Sequence, residues 1–242
     1  MPEKTFLLQT DQTVEYVRVT PQLVPRCLEV MRTSFYPHET VCAALQLGNH
    51  PECFAEMDAI TTDVIKEGVS IAAIDKATGL VAGVSINKIH VQGDADFTEK
   101  HIQNCQHSQS RNVLRWMRDV DHKLDIHEHC KVQTVMELMF VCIAPEFRKR
   151  GIARKLFEVS VKLAKSGFRP IFHPGQTFDR FRPPEVVTAI CTSLVTQKIA
   201  RNMNFQIADR IQFRQFGCYD RINLGEAVGL SVDSLTYEYL RI

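Results

Sequence analysis

The chain has 242 residues, 45% of them hydrophobic, with 29 basic against 28 acidic side chains. That length suits one domain spanning 1–242 with ample material for a core. A charge this close to zero excludes a general attraction to nucleic acid or to an anionic membrane surface. Eight cysteines are scattered without paired metal-ligand spacing, and no apolar run is long enough to span a bilayer. The opening MPEKTFLLQT has neither a basic region nor a long apolar segment. Reduced thiols, a cytoplasmic location, no metal, no membrane or nucleic-acid partner and a monomer are the expectations that follow.

In chain order, Val14 to Val19 reads as a first strand and Leu23 to Met31 as a helix. Ser34 to Thr40 (SFYPHET) is aromatic and broken by Pro37, so it is not expected to continue that helix. A carboxylate beside aromatics in such a loop, Glu39, suits an incoming amine; it equally suits an exposed glutamate beside core rings. Cys42–Leu47 and Cys53–Lys66 are helix pieces on either side of Gly48-Asn49-His50-Pro51. Val69–Ile74 and Leu80–Lys88 form a hairpin about the turn Asp75 to Gly79. Val91 to Gln109 is polar and reads as an irregular surface excursion. Asn112 to Cys130 carries apolar residues at helical spacing.

Met136 to Lys165 is the densest signal. Met136–Ile143 is an apolar strand that places Cys142 in the core, and Ala144-Pro145 ends it. The basic turn Arg148-Lys149-Arg150-Gly151 leads into a helix with Ile152, Leu156, Val159 and Leu163 on one face. Strand, basic glycine turn and helix N-terminus together make a place where backbone N–H groups converge on a phosphate. The alternative is an ordinary strand–loop–helix unit with a solvated basic face. Arg169 to Glu185 is rich in proline, arginine and aromatics, an ordered but irregular loop. Val186–Cys191 is a strand, Thr192 or Ser193 can cap the helix that runs to Arg201, and strands follow at Gln206–Tyr219 and Leu235–Leu240. Strands alternating with helices, with an antiparallel hairpin before the central strand, predict a mixed α/β fold: a mixed sheet between helical layers.

Arg148-x-x-Gly151-x-Ala153 after a strand and a proline turn resembles the acetyl-CoA pyrophosphate motif of the GNAT acetyltransferases. Within them the chain is most like the insect arylalkylamine N-acetyltransferase group, on Ser34 to Glu39, Gly83 to Asn87 and Cys191 to Lys198 before Asn204-Phe205. The resemblance implies the GNAT fold with splayed parallel strands at 136–143 and 186–191. It implies acetyl-CoA as co-substrate, held by the backbone of Val141, Cys142 and Ile143 and of Arg148, Lys149, Arg150, Gly151, Ile152 and Ala153, with Lys198 flanking the thiol end.

It further implies direct acetyl transfer to a small primary amine, an arylalkylamine first and a polyamine or agmatine otherwise. In the latter case Glu52, Glu56 or Asp58 would supply acidic recognition. A non-catalytic acetyl-CoA-binding regulator is the reading from another class. The tyrosine that many relatives place four residues before a glycine is replaced by Ala200, with Asn204 at the glycine. Thr192, Ser193 and Thr196 are then the available hydroxyls. Glu39 corresponds to the loop glutamate of the insect group and Glu137 to a strand carboxylate of histone-directed relatives; either could be the base, and Glu137 could instead be a solvent-facing strand residue.

Overall fold

The computed structural model describes residues 7–167, 182–229 and 232–242. Strands β1 (Leu7–Thr10) and β2 (Val14–Arg18) precede helix α1 (Val24–Val30), which winds on through one π-type turn, Met31–Phe35. Helices α2 (Thr40–Ala44) and α3 (Phe54–Ile65) lead into strands β3 (Ile71–Asp75) and β4 (Val81–Val91). Helices α4 (Phe97–Asn104), α5 (Ser108–Asp121) and α6 (Ile126–Cys130) follow, then β5 (Thr134–Ile143), α7 (Ile152–Lys165), β6 (Val186–Cys191) and α8 (Leu194–Asn202). The chain closes with β7 (Gln206–Gln212), the short pair β8 (Cys218–Tyr219) and β9 (Ile222–Asn223), α9 (Leu224–Ala227) and β10 (Ser234–Arg241).

Eight strands form one mixed sheet in the order β1-β2-β3-β4-β5-β6-β10-β7. Every neighbouring pair is antiparallel except β5 and β6. That parallel pair holds register only at Val135↔Val186, Met136↔Val187 and Glu137↔Thr188. Beyond Glu137 the two strands part, so their facing edges carry backbone groups that no strand pairs. Both strands are apolar along their length because helices cover both faces, and α7 packs on β3, β4 and β5 while α1 and α3 pack on β4.

A buried polar network fixes α7 to the sheet. Asn87 Nδ2 donates to Val69 O at 2.9 Å and to Ser160 Oγ of α7 at 3.1 Å, and Ser85 Oγ donates to Asn87 Oδ1 at 2.7 Å. Removing one partner from such a network leaves a buried polar atom unpaired, at a cost of about 1–3 kcal/mol. Next to Asn87 the β4–β5 register shifts: Ile86 faces Phe140 and Asn87 faces Leu138, which leaves Met139 as the extra residue of a bulge. Through the bulge Glu137 and Phe140, three residues apart, share the face turned away from α7.

Several sequence expectations are corrected. The stretch 91–109 contains α4, whose Asp96 cap accepts from Glu99 N at 2.9 Å. The single helix expected over 112–130 is two, divided after Asp121 and restarted by the Asp125 cap. Pro37 does not stop α1 at Met31, because the π turn satisfies one more round of carbonyls before the break. The strand from Gln206 ends at Gln212, where a 3-10 turn takes over. Residues 169–181 of the proline-rich loop lie outside the described residues; from the rest of it, Glu185 accepts from Gln133 N and Thr134 N at 2.8 and 3.2 Å and anchors the start of β5.

Candidate active site

Glu39 is the N-cap of α2. Its Oε2 accepts from Val41 N and Cys42 N, both at 2.9 Å, which satisfies two of the helix's unpaired donors. The loop before it is anchored: Glu39 N donates to Phe35 O at 2.8 Å, and Gly48 lies so close that a Cβ there would stand 2.6 Å from Pro37 Cα. One carboxylate oxygen is thus spent on the helix and the other is turned outward. Oε1 accepts from Thr192 Oγ1 at 2.6 Å, a contact across 153 positions of sequence.

Thr192 is the first residue past β6. It lies four residues beyond Thr188, the last position paired with β5, where the strands have already parted. The Glu39–Thr192 pair therefore stands at the open end of the splay. Ser193 and Thr196 are occupied differently. Ser193 caps α8, its Oγ accepting from Thr196 N at 3.2 Å, and Thr196 Oγ1 donates to Ser193 O at 3.0 Å. Lys198 is exposed on the same helix, and Ala200 is fully buried.

Glu137 is elsewhere. It is level with Thr188, about 13 Å along the strand from Thr192 at 3.3 Å per residue. Its buried carboxylate meets His90 Nε2 at 2.8 Å, so the two glutamates do not form a dyad. No local sequence signal marks His90 as its partner; the pairing arises from the β4–β5 register, in which Lys88 faces Glu137 and His90 stands one pleat further along the same face.

The basic turn is solvent-facing. Gly151 has φ of +78° and a Cβ there would meet nothing within 4 Å, so the start of α7 opens onto free space. The N–H groups of Ile152, Ala153 and Arg154 lie in the first turn, where an α-helix supplies no carbonyl for them. The side chains nearby are largely engaged. Arg150 pairs with Asp75 at 2.9 Å and lies over the Phe147 ring at 5.3 Å, while Arg154 and Lys155 both bind Glu158. A hydrogen bond from Thr78, then the Arg150 guanidinium, hold the Asp75 carboxyl below the ordinary range. Arg148 and Lys149 remain exposed, with Arg148 Nε donating to Ile143 O at 3.3 Å. Backbone amides and a helix N-terminus, rather than a side-chain cage, are what the turn presents, and that suits a pyrophosphate. On β5, Val141 and Ile143 are half-buried, and burial pushes the Cys142 thiol up to about 12, which marks it as core.

The aromatic segment divides. Tyr36 is fully buried and its hydroxyl donates to Asp58 Oδ1 at 3.0 Å, so it is core. Phe35 is half-buried against Phe140 with ring centroids 5.1 Å apart. Among the carboxylates considered for acidic recognition, Asp58 is tied to Arg32 and Tyr36, and Glu56 to His107, Ser110 and the Gln106 amide. Glu52 is exposed beside His50.

No family model matches the chain, and no curated protein matches it at a significant level. Solved structures do. Arylalkylamine N-acetyltransferase 2 of Aedes aegypti superposes over 95% of this chain and 99% of its own, with a TM-score of 0.74 at 19% identity. The fold is that of the GNAT acetyltransferases. A putative arylalkylamine N-acetyltransferase 7 from the same mosquito gives a TM-score of 0.76 at 16% identity over 94% of this chain and 87% of that one. A Drosophila melanogaster polyamine N-acetyltransferase that forms N-acetylagmatine gives 0.69 at 14% identity over 95% and 100%. At these identities it is the GNAT fold that is shared. Among the described residues no helix is long and apolar enough to cross a membrane.

Proposed function

We propose that the chain is an acetyl-CoA-dependent N-acetyltransferase that passes acetyl directly to a small primary amine, an arylalkylamine first. The observation that carries this reading is the Glu39–Thr192 contact of 2.6 Å at the open end of the β5–β6 splay. Bound along the splay, acetyl-CoA supplies the thioester carbon under attack. The α7 N-terminus and the turn 148–153 would hold its pyrophosphate, the freed strand edges its pantetheine, and the backbone near Val141 the carbonyl oxygen.

An alkyl ammonium has a pKa near 10, so the acceptor must shed a proton before or as its nitrogen attacks. Glu39 is the base in this reading, directly or through one water, because its position is fixed by two backbone N–H groups and its outward oxygen faces the splay. As the C–N bond forms and the C–S bond breaks, the departing sulfur needs a proton. Thr192 Oγ–H, already directed at Glu39, passes its proton to the sulfur while Glu39 returns the amine's proton to Thr192. One proton of the ammonium leaves through Glu39 to solvent before the attack; the second, lost as the C–N bond forms, travels from nitrogen to sulfur through the pair, and both residues end as they began. Ser193 and Thr196 serve the cap of α8, and Glu137, far down the strand, takes no part.

Phe35, half-buried and hydrogen-bonded through its carbonyl to Glu39 N, supports an aryl acceptor. Asp58 and Glu56, bound within the protein, give a polyamine or agmatine acceptor no support. The test is release of free CoA from acetyl-CoA across aryl amines, diamines, polyamines and agmatine. Turnover highest with aryl amines is expected. A preference for polyamines would move the acceptor class, and cofactor binding without release under any amine would replace the enzyme by a regulatory protein.

A further inference from the structure

Most glycines of the described residues sit at positive φ, where a side chain is strained; Gly48 does not. Its backbone could carry any residue, and what forbids a side chain there is Pro37. A Cβ on Gly48 would stand 2.6 Å from Pro37 Cα and 3.0 Å from Pro37 Cβ, and the next nearest atom is the Pro37 carbonyl oxygen at 3.4 Å. Carbon atoms pack best at about 3.5–4.0 Å, so an added methyl must push something aside.

The contact closes a small loop that carries Glu39. Before α2, Phe35 O accepts from His38 N at 3.0 Å and from Glu39 N at 2.8 Å, and the buried Tyr36 holds the chain to Asp58 and Thr61. After α2, Gln46 turns the chain back at φ of +61° into the 3-10 turn Leu47–Asn49, which brings Gly48 beside Pro37. The two sides of the contact differ in stiffness. Leu47 is fully buried, and His50 is held at both ring nitrogens, by Glu52 at 3.0 Å and by Gln109 of α5 at 3.2 Å. Pro37 is half-buried and His38 is exposed. A methyl on Gly48 is therefore relieved by displacing Pro37, with Glu39 just beyond it. The Thr192–Glu39 hydrogen bond of 2.6 Å has little reach to spare.

We propose that Gly48 is a positioning residue for acyl transfer, an inference that rests on the reading of Glu39 as base. By letting Pro37 seat against its Cα, Gly48 sets how far Glu39 Oε1 reaches toward Thr192. Val41 N and Cys42 N fix the carboxylate relative to α2. The Pro37–Gly48 contact fixes the cap of α2 relative to the splay. Gly48 acts only through Pro37 and Glu39, and no step of the proton path passes through it.

The test measures kcat with acetyl-CoA and an aryl amine, and Kd for CoA, in wild type, Gly48→Ala, Glu39→Gln and the double variant. A misplacement of about 1 Å at a reacting group can cost about 10²-fold. Gly48→Ala is expected to lose about 10–10² in kcat, with CoA affinity kept within about twofold. In the Glu39→Gln background the same substitution is expected to cost no more than about twofold, because the group it positions is gone. A general loss of structure would lower kcat in both backgrounds alike. Should Gly48→Ala not fold, Pro37→Gly removes the ring from the other side of the contact, and the same loss and the same non-additivity are expected of it. A kcat within about twofold of wild type, equal losses in both backgrounds, or a loss confined to CoA affinity overturns the proposal. If Glu39→Gln loses kcat and the Gly48 and Pro37 variants do not, this inference alone falls; Glu39→Gln at the wild-type rate removes the base assignment with it.

Discussion

At Ser193 the hydroxyl accepts from Thr196 N and the neighbouring Thr192 hydroxyl donates to Glu39, so two adjacent side chains serve different ends. Ser193→Ala should cost about 1 kcal/mol of stability, as loss of an N-cap does, with turnover kept within about twofold; chemical denaturation beside steady-state kinetics checks both. In the sequence, Glu39 and Thr192 were each legible as candidates, but their contact spans 153 positions and no local pattern encodes it. The His90–Glu137 contact was unmarked for the same reason.

Elements were legible where periodicity and punctuation agreed. The strand before Pro145 and the helix after Gly151 fall where the sequence reading put them, because an apolar run, a proline and a left-handed glycine coincide there. Gly151→Ala tests this turn. A side chain at φ of +78° costs about 1–2 kcal/mol, and its Cβ would project into the open space before the helix N-terminus. Loss of stability of that size together with weaker CoA binding is expected from thermal unfolding and a CoA titration; unchanged CoA affinity would move the phosphate away from the turn. The helices α4 and α6 were less legible, since neither has a long apolar stripe. Their signal was there all the same: Asp96-x-x-Glu99 and Asp125-x-x-Glu128 each place a capping carboxylate three residues before a glutamate whose N–H it accepts. The β4–β5 bulge was beyond reach, because an extra residue at Met139 follows from the opposing strand and leaves no mark on β5 alone.

Across the whole molecule the mixed sheet was readable from the alternation of strands and helices, and its single parallel pair lies where the resemblance put it. The length over which that pair stays together was not readable. Pairing stops after three positions, and this leaves Thr192 four residues past the last ladder partner. The short ladder thus opens a cofactor-sized edge, points the α7 N-terminus at one end of it, and leaves Glu39 and Thr192 at the other. If those two residues move one proton as a unit, their removal must be non-additive. The decisive measurement is kcat with acetyl-CoA and an aryl amine for wild type, Glu39→Gln, Thr192→Val and the double variant. Each single variant should lose about 10²–10³ in kcat, and the double should fall no further than the worse single. Glu39→Gln turning over within about twofold of wild type, or losses that multiply in the double variant, would contradict a shared role.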